Sequence, residues 1–423
     1  MSEPAKLVPP PLKNDCFALP ADTHWTPVDE AHALLKERLS VCVGAEPVPL
    51  AKALGRVLAQ DLSAARAHPP QPNSAVDGYG LAHAAVTEGP QSFPLVSGRS
   101  AAGAPFEGHV PAGQAIRILT GATVPAGVDT VILQEDVATD GKSIAFHGPL
   151  KRGANTRKAG EDVQQGDVIL SKGRKLTPAD LALAAATGVS EMQVFKPLRV
   201  GVISTGDELA EAGAVARVDQ IYDANRPMLL GLVAQFGYEP LDLGRAPDDR
   251  ATLKAFLDEA AARADVILTS GGASAGDEDH MSALLQETGS MTLWRLAIKP
   301  GRPLALGVWK GAPVFGLPGN PVAALVCSLI FAQPAMRVLA GRDWKLPQSF
   351  KVPAAFSKSK KAGRREFLRA RIGERGVEVF GSEGSGRISG LSWAEGLVAL
   401  PDEALEISEG DLVEYYPYSA FSV

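Results

Sequence analysis

Residues 198–209 read LRVGVISTGDEL, and residues 265–279 read DVILTSGGASAGDED. Each opens with a short run of Val, Ile and Leu, then breaks at once into glycine, hydroxyl and carboxylate residues. An apolar run without alternation marks a strand covered on both faces, as in a parallel sheet. Between the two, the spacing predicts a helix over 225–236, a strand over 240–243 and an amphipathic helix over 248–262. Downstream it predicts a helix over 278–288, extended segments over 292–298 and 303–308, a strand over 314–317 and a closing helix over 322–340. Strands alternating with helices in this way predict a central, doubly covered, mostly parallel α/β domain at 197–346.

On either side the rhythm changes. Residues 347–423 carry extended runs at 350–354, 366–372, 377–380, 397–400 and 412–416, which predict a small C-terminal β-barrel-like or sandwich domain. Upstream, residues 66–164 carry short runs at 93–96, 115–119, 130–133 and 143–146, with Gly103, Pro111-Ala112-Gly113, Pro125-Ala126-Gly127 and Gly141 between them. That pattern predicts a small inserted β domain. Helices are expected on both sides of it. One has Thr26 as cap, Pro27 in the first turn and an apolar stripe of Ala33, Leu34, Leu35 and Leu39; a second covers 50–58 and a third 178–187. Together, 25–65 and 165–196 read as a discontinuous helical linker domain. Residues 1–24 hold five prolines and little periodicity, so a mobile tail is expected there.

Composition narrows the functional classes. At 423 residues the chain exceeds one compact core, and length suggests about two to four domains. Forty-two basic and 48 acidic residues give a net charge of −6, which argues against a broad nucleic-acid-binding face and leaves room for a local anion pocket. No uninterrupted apolar run reaches the ~18 residues of a membrane helix; the longest, from Val322, meets Pro334. With no export pattern at the N-terminus, a cytoplasmic location is expected. Cys16, Cys42 and Cys327 are odd in number and widely spaced, which fits free thiols and not a disulfide framework or zinc site. The seven histidines include no HExxH pair.

In open α/β sheets, ligands sit beyond the carboxyl ends of the strands, where loop amides and helix starts converge. Three predicted strand ends carry unusual loops: Ser204–Glu208, Thr269–Asp279 and Gly316–Pro321. One glycine-rich loop alone is better explained by a tight turn. Three at one edge of a sheet point to an anion site. None has P-loop or GxGxxG spacing, so neither an ordinary NTPase nor a Rossmann dehydrogenase is supported. The same loops carry Asp207, Glu208, Asp277, Glu278 and Asp279, with Asp223, Asp248 and Asp249 on loops nearby. Acids beside a phosphate cradle repel the ligand unless a divalent cation lies between, and Mg2+ is the natural choice. About half of these acids serve equally as helix N-caps, Asp248 and Asp277 among them.

Lys299-Pro300-Gly301-Arg302-Pro303 adds two cations stiffened by prolines, suited to clamping an oxyanion. Outside the central domain, Pro72–Gly80 places Asn, Ser, Asp and Tyr after a proline-rich loop, as a structural turn or a ligand contact. Gly363–Arg369 and Gly381–Arg387 offer arginines and a polar loop able to bind an anion, but on their own read better as a solvated basic hairpin and a flexible loop.

Nine blocks carry a resemblance: PQPNSAVDGYG, IRILTGATVPAGVDTVILQE, AGEDVQQGDVIL, VGVISTGDEL, IYDANRPML, DVILTSGGASAGDEDH, LAIKPGRPLALG, GLPGNPVAALV and GRREFLR. In this order, from about residue 26 onward, they resemble the molybdopterin molybdenumtransferase family, the MoeA and gephyrin E-domain proteins. The resemblance implies a homodimer of four-domain subunits whose central domain is similar to molybdopterin adenylyltransferase. It implies Mg2+-assisted insertion of molybdate into adenylylated molybdopterin, with cleavage of the phosphoanhydride and release of AMP. It further implies the adenylyltransferase and molybdoenzyme apoproteins as partners, and neither nucleic acid nor membrane.

By position, the resemblance implies catalytic roles for Asp77, Glu208, Asp248, Asp279 and Lys299, with Glu208 and Asp279 as magnesium ligands. Ser270, Gly271, Gly272 and Ser274 would hold phosphates, and Pro318 and Pro321 would shape the pocket. Thr120, Arg302, Arg369 and Ser385 complete the implied substrate contacts. Arg295 and Arg302 stand where relatives often have Lys, and Val76 where Met is common. Two other readings stay open: ATP-dependent adenylylation of molybdopterin, which the central domain alone would suggest, and a non-catalytic scaffold. The extra β domains argue against the first, and the intact acidic and glycine loops against the second.

Overall fold

The computed structural model describes residues 25–271, 280–287, 292–301, 303–384 and 386–422. The proposed mobile tail at 1–24 lies outside them. The chain divides into two compact units, 44–196 and the remainder.

The larger unit is built on a six-stranded sheet. Its elements are α1 (Val28–Arg38), β1 (Arg199–Thr205), α2 (Asn225–Phe236), β2 (Glu239–Ala246), α3 (Arg250–Arg263), β3 (Val266–Ser270), α4 (His280–Glu287), β4 (Thr292–Arg295), β5 (Pro303–Trp309), β6 (Ala312–Leu317) and α5 (Pro321–Leu339). The strand order is β2-β1-β3-β6-β5-β4. Pairings from β2 through β6 are parallel, whereas β5 and β4 add antiparallel. One face buries Val200, Val202 and Leu268 under Leu229, Val233, Phe331 and Met336 of α2 and α5. The other buries Ile203, Ile267 and Val314 under Leu253 and Leu257 of α3 and Leu284 of α4. The expected doubly covered, mostly parallel domain is present.

Helix α5 corrects one expectation. Pro334 does not end the apolar run, because a π-helical turn at Ser328–Ala332 precedes it and the helix resumes over Gln333–Leu339 with Pro334 in its first turn. A proline is tolerated there because its missing N–H is not needed for the regular ladder. The resulting Pro321–Leu339 helix is long and apolar enough to cross a membrane, yet almost all of it is buried inside this unit as a core helix.

Helix α1 also differs in detail. Thr26 does not cap it; its backbone instead pairs with Arg295 and Ala297 at 2.9 Å each. The buried face is Val28, Ala31, His32 and Leu35, with Ala33 turned to solvent. This face joins the core of the larger unit, so residues 25–43 belong with it and not with a linker.

The C-terminal region pairs Arg365–Gly373 with Gly396–Leu400, then Leu412–Pro417 and Phe350–Pro353, with Gly376–Val379 folding back on the first of these. A separate hairpin-like pair, Lys358–Lys360 with Leu405–Ile407, closes over the core of Phe356, Leu368, Val398 and Tyr415. The short strand Ile298–Lys299, from the central domain's sequence, adds parallel to Arg365 and Glu366. The boundary at 346 is therefore crossed by a strand.

In the unit 44–196, the expected helix at 50–58 shrinks to a single 3-10 turn, Leu50–Lys52. Gly55 adopts φ 76°, outside the helical region, and donates to Leu176 O at 2.9 Å. The antiparallel pair Ala45–Pro49 with Glu191–Phe195 packs with the helix Pro178–Ala186, which Thr177 and Asp180 cap reciprocally. This unit's own six-stranded sheet takes in the expected runs at 93–96, 115–119, 130–133 and 143–146. Its additional central strand, Gly78–Leu81, falls in a stretch read as loop. Two glycines and one tyrosine gave little strand signal, but sheet backbone presses so close that Cβ on Gly78 would meet Ile132 O.

Phe331, fully buried between α5 and the sheet, sets the first prediction. Phe331→Ala should cost about 3–5 kcal/mol by chemical denaturation, from lost burial and the cavity left behind. Ile388→Ala, at a residue 48% exposed, should stay within about 0.5 kcal/mol.

Candidate active site

In this sheet, β1 is flanked by β2 on one side and β3 on the other, so the chain order reverses between β1 and β3. The crevice beyond their carboxyl ends is where the geometry of such sheets places ligands. Three loops meet there. Thr205 Oγ1 donates to Ser270 O at 3.4 Å, and Gly271 N donates to Leu317 O at 3.2 Å. Asn225, at the start of α2, ties the loops together: its Nδ2 donates to Ser270 Oγ at 2.6 Å and to Gly319 O at 2.7 Å. Its Oδ1 is buried without a partner among the described residues.

Glycine is required at the centre. Gly271 has φ 91°, and a Cβ there would stand 2.7 Å from Thr205 Oγ1 and 2.8 Å from Thr205 O. Pro318 lies in the loop after β6. Asn320 then caps α5, accepting from Val322 N at 3.1 Å and Ala323 N at 3.5 Å, with Pro321 in the first turn. Ser270, Gly271, Pro318 and Pro321 are thus brought to one crevice.

The acids form its rim. Asp207 and Asp248 bind reciprocally, each carboxylate accepting the other's backbone N–H, at 3.2 and 3.3 Å. Arg245 Nη1 donates to Gly206 O at 3.1 Å, and Glu208 folds its carboxylate over Gly206. Glu208 and Asp248 are exposed. Asp248 is not a helix cap. Asp249 takes that place on α3, accepting from Thr252 N at 2.8 Å and Thr252 Oγ1 at 2.6 Å, which hold its carboxyl below the usual range. Asp223 likewise accepts from the first amides of α2.

Among the described residues no group of three or more His, Cys, Asp or Glu is placed to hold a metal ion. The donors present, exposed carboxylates at Glu208 and Asp248, suit Mg2+, which commonly takes one or two protein carboxylates and fills its shell with water and phosphate oxygens. Asp279, Gly272, Ser274, Arg302, Ser385 and the expected cap Asp277 lie outside the described residues.

Lys299 and Arg369 line a separate pocket of about 180 Å³, bounded also by Pro300, Val322, Lys358, Phe380 and Glu383. Lys299 is already engaged. Its Nζ lies 2.6 Å from Glu383 Oε2 and 3.4 Å from Glu366 Oε1, while Lys358 pairs with the same two carboxylates. Burial pushes the Glu383 carboxyl up, but Lys299 and Lys358 outweigh it and hold it below the usual glutamate range. This ring is complete at neutral pH and is lost as pH falls through that lowered value. Arg369 donates to the carbonyls of Ser382, Gly384 and Arg387 and stacks over Phe380 at 4.8 Å. It fastens the 382–387 loop, so its donors face backbone and not the pocket.

In the other unit, Asp77 and Thr120 meet: Thr120 N and Oγ1 both donate to Asp77 Oδ1 at 2.7 Å, which lowers the Asp77 pKa. The sequence reading missed Asn225, Lys358, Glu366 and Glu383 as site residues. Asn225 and Glu366 sit inside the quoted blocks IYDANRPML and GRREFLR. Glu383 sits inside the Gly381–Arg387 stretch but only as an acid in a polar loop, and Lys358 carries no local signal, because the C-terminal fold is what brings both to Lys299.

Family models match along most of the chain: "MoeA N-terminal region (domain I and II)" over residues 26–188, "Probable molybdopterin binding domain" over 201–338, and "MoeA C-terminal region (domain IV)" over 351–418. The chain belongs to the molybdopterin molybdenumtransferase (MoeA) family. It is 38% identical to the molybdopterin molybdenumtransferase of Haemophilus influenzae, over 93% of this chain and 98% of that one. It is 35% identical to molybdopterin molybdenumtransferase 2 of Mycobacterium tuberculosis, over 92% and 98%. A crystal structure of the MoeA molybdopterin biosynthesis protein of Pyrococcus horikoshii superposes with TM-score 0.80 at 29% identity, covering 93% of this chain and 100% of that one. The crevice lies within the 201–338 match, whereas the Lys299 pocket straddles it and the 351–418 match, taking Lys299, Pro300 and Val322 from the first and Lys358, Phe380 and Glu383 from the second.

The Glu383 ring yields a prediction. Glu383→Gln should leave Lys299 and Lys358 sharing Glu366 alone, and if this pocket takes an oxyanion, binding of molybdate as a probe, read by calorimetry, should strengthen several-fold. Unchanged affinity would show that Glu383 does not compete for that cation.

Proposed function

We propose that the chain inserts molybdate into adenylylated molybdopterin, cleaving the phosphoanhydride and releasing AMP, with Mg2+ as the assisting cation. The observation that carries this reading is the crevice between β1 and β3. Three loops bring Gly206, Gly271 and Gly319 together there, in the segment matching the probable molybdopterin-binding domain.

In this reading, the Ser270 hydroxyl donates to a phosphate oxygen while accepting from Asn225 Nδ2, and Gly271, whose N–H is spent on Leu317 O, allows the close approach. Pro318 and Pro321 stiffen the wall, so that little ordering is needed when substrate enters. Glu208 and Asp248 would hold the magnesium ion, with Asp279 as the implied further ligand. Mg2+ bound there supplies the positive charge that lets acids and phosphates share one site. Lys299 faces the oxyanion pocket beside Lys358, while Arg369 positions the loop around it. Asp77 and Thr120 are assigned to the substrate as a preformed hydrogen-bonded pair.

A homodimer in the cytoplasm is part of the same proposal. So is receipt of substrate from the adenylyltransferase and transfer of product to molybdoenzyme apoproteins. Family membership supports these points. Adenylylation of molybdopterin is the competing activity.

Incubation with adenylylated molybdopterin, molybdate and Mg2+ should consume the adenylylated pterin and release AMP. Incubation with molybdopterin and Mg-ATP should form none. The reverse pattern overturns the assignment. Glu208→Gln should lower AMP release at least tenfold without changing the oligomeric state, and should need more Mg2+ for half-maximal rate. Gly271→Ala should lower release at least as much, because its Cβ would collide with Thr205 Oγ1 and O and shift the loop that carries Ser270.

A further inference from the structure

We propose that a second anion site lies at the far end of α5, in a cavity of about 350 Å³ bounded by Arg337, Arg342, Lys345 and Gln348, and that it takes a phosphate-class oxyanion. It is independent of the strand-end crevice and of the function proposed there.

Arg337 is the central observation. It is only 8% exposed, and its Nε is buried with no hydrogen-bond partner. Arg342 stands beside it and hydrogen-bonds to the Tyr238 hydroxyl. Among the described residues, no carboxylate comes within ion-pair distance of Arg337, Arg342 or Lys345. Asp343 attracts Arg337 only from outside that range. Arginine stays charged at any working pH, so a buried, unpaired guanidinium next to a second one is a costly arrangement. Burial, and for Arg337 the neighbouring Arg342, lowers the pKa of both guanidinium groups.

An oxyanion offsets that cost directly. It supplies the missing acceptor for Nε, and the guanidinium fork matches tetrahedral or planar oxygens with paired bonds. Lys345 adds a third positive charge at the mouth. Leu346 and Phe350, 43% and 50% exposed, provide an apolar rim beside the cations. A phosphate ester would cover that rim, and free phosphate would not.

The test is calorimetric titration of the full chain with inorganic phosphate, against chloride at matched ionic strength. One phosphate-binding event should weaken at least tenfold in Arg342→Gln and several-fold in Lys345→Gln, and persist in Ser270→Ala, which alters the crevice instead. Phenyl phosphate binding more tightly than inorganic phosphate would identify an ester as the ligand. Equal affinity would identify free phosphate. Arg337→Met gives a second readout. In chloride it should melt at or above the wild-type temperature, since it removes an unpaired buried charge, and phosphate should raise the melting temperature of the wild type alone. Absence of phosphate binding, or equal binding in wild type and Arg342→Gln, overturns the site. So does an Arg337→Met variant that loses stability equally with and without phosphate.

Discussion

Burial of α5 against the parallel sheet is the constraint on which the larger unit depends. Its start, capped by Asn320, sets the loop that meets Gly271 at the crevice. Its next residue, Val322, walls the Lys299 pocket. Its last turns carry Gln333 and Arg337 to the cavity at the opposite end. Phe331 and Met336 bury fully in between, so these three places are held at fixed spacing by one apolar rod. The π-turn at Ser328–Ala332 lets that rod pass Pro334 without breaking.

The crevice and the Lys299 pocket solve the same electrostatic problem in different ways. At the crevice, the polar groups satisfy one another, Asn225 Nδ2 donating to Ser270 Oγ and Gly271 N to Leu317 O, with exposed acids at the rim. In the pocket, two lysines are neutralised by Glu366 and Glu383. A hydroxyl held by a side-chain amide can donate as it stands, whereas an ion-paired lysine must first be released. The second arrangement ties anion binding to the position of Glu383.

The parallel sheet was legible because its strands are apolar on both faces, as in Val200–Ile203 and Val266–Leu268. The crevice glycines were legible for a related reason: small residues directly after such strands have few uses other than close backbone approach. What the sequence hid came from partners distant along the chain. Gly78–Leu81 forms a central strand through its neighbours at 115–118 and 130–133, not through its own propensity. Thr26 looked like a helix cap because its backbone pairing with Leu296 cannot be read locally. Lys299 read as a free clamp, since Glu383 is 84 residues away and reaches it only after the C-terminal sheet forms.

The strand Ile298–Lys299 has one more consequence. Because it pairs with Arg365 and Glu366, the last seventy-odd residues borrow an edge from the preceding domain. A swap of C-terminal modules between relatives cut near 346 would orphan that edge and detach Lys299 from its two glutamates. A chimera that takes 298–299 and its acceptor strand from the same parent keeps both the shared edge and the Lys299–Glu366 pair, so the natural unit to exchange includes the junction.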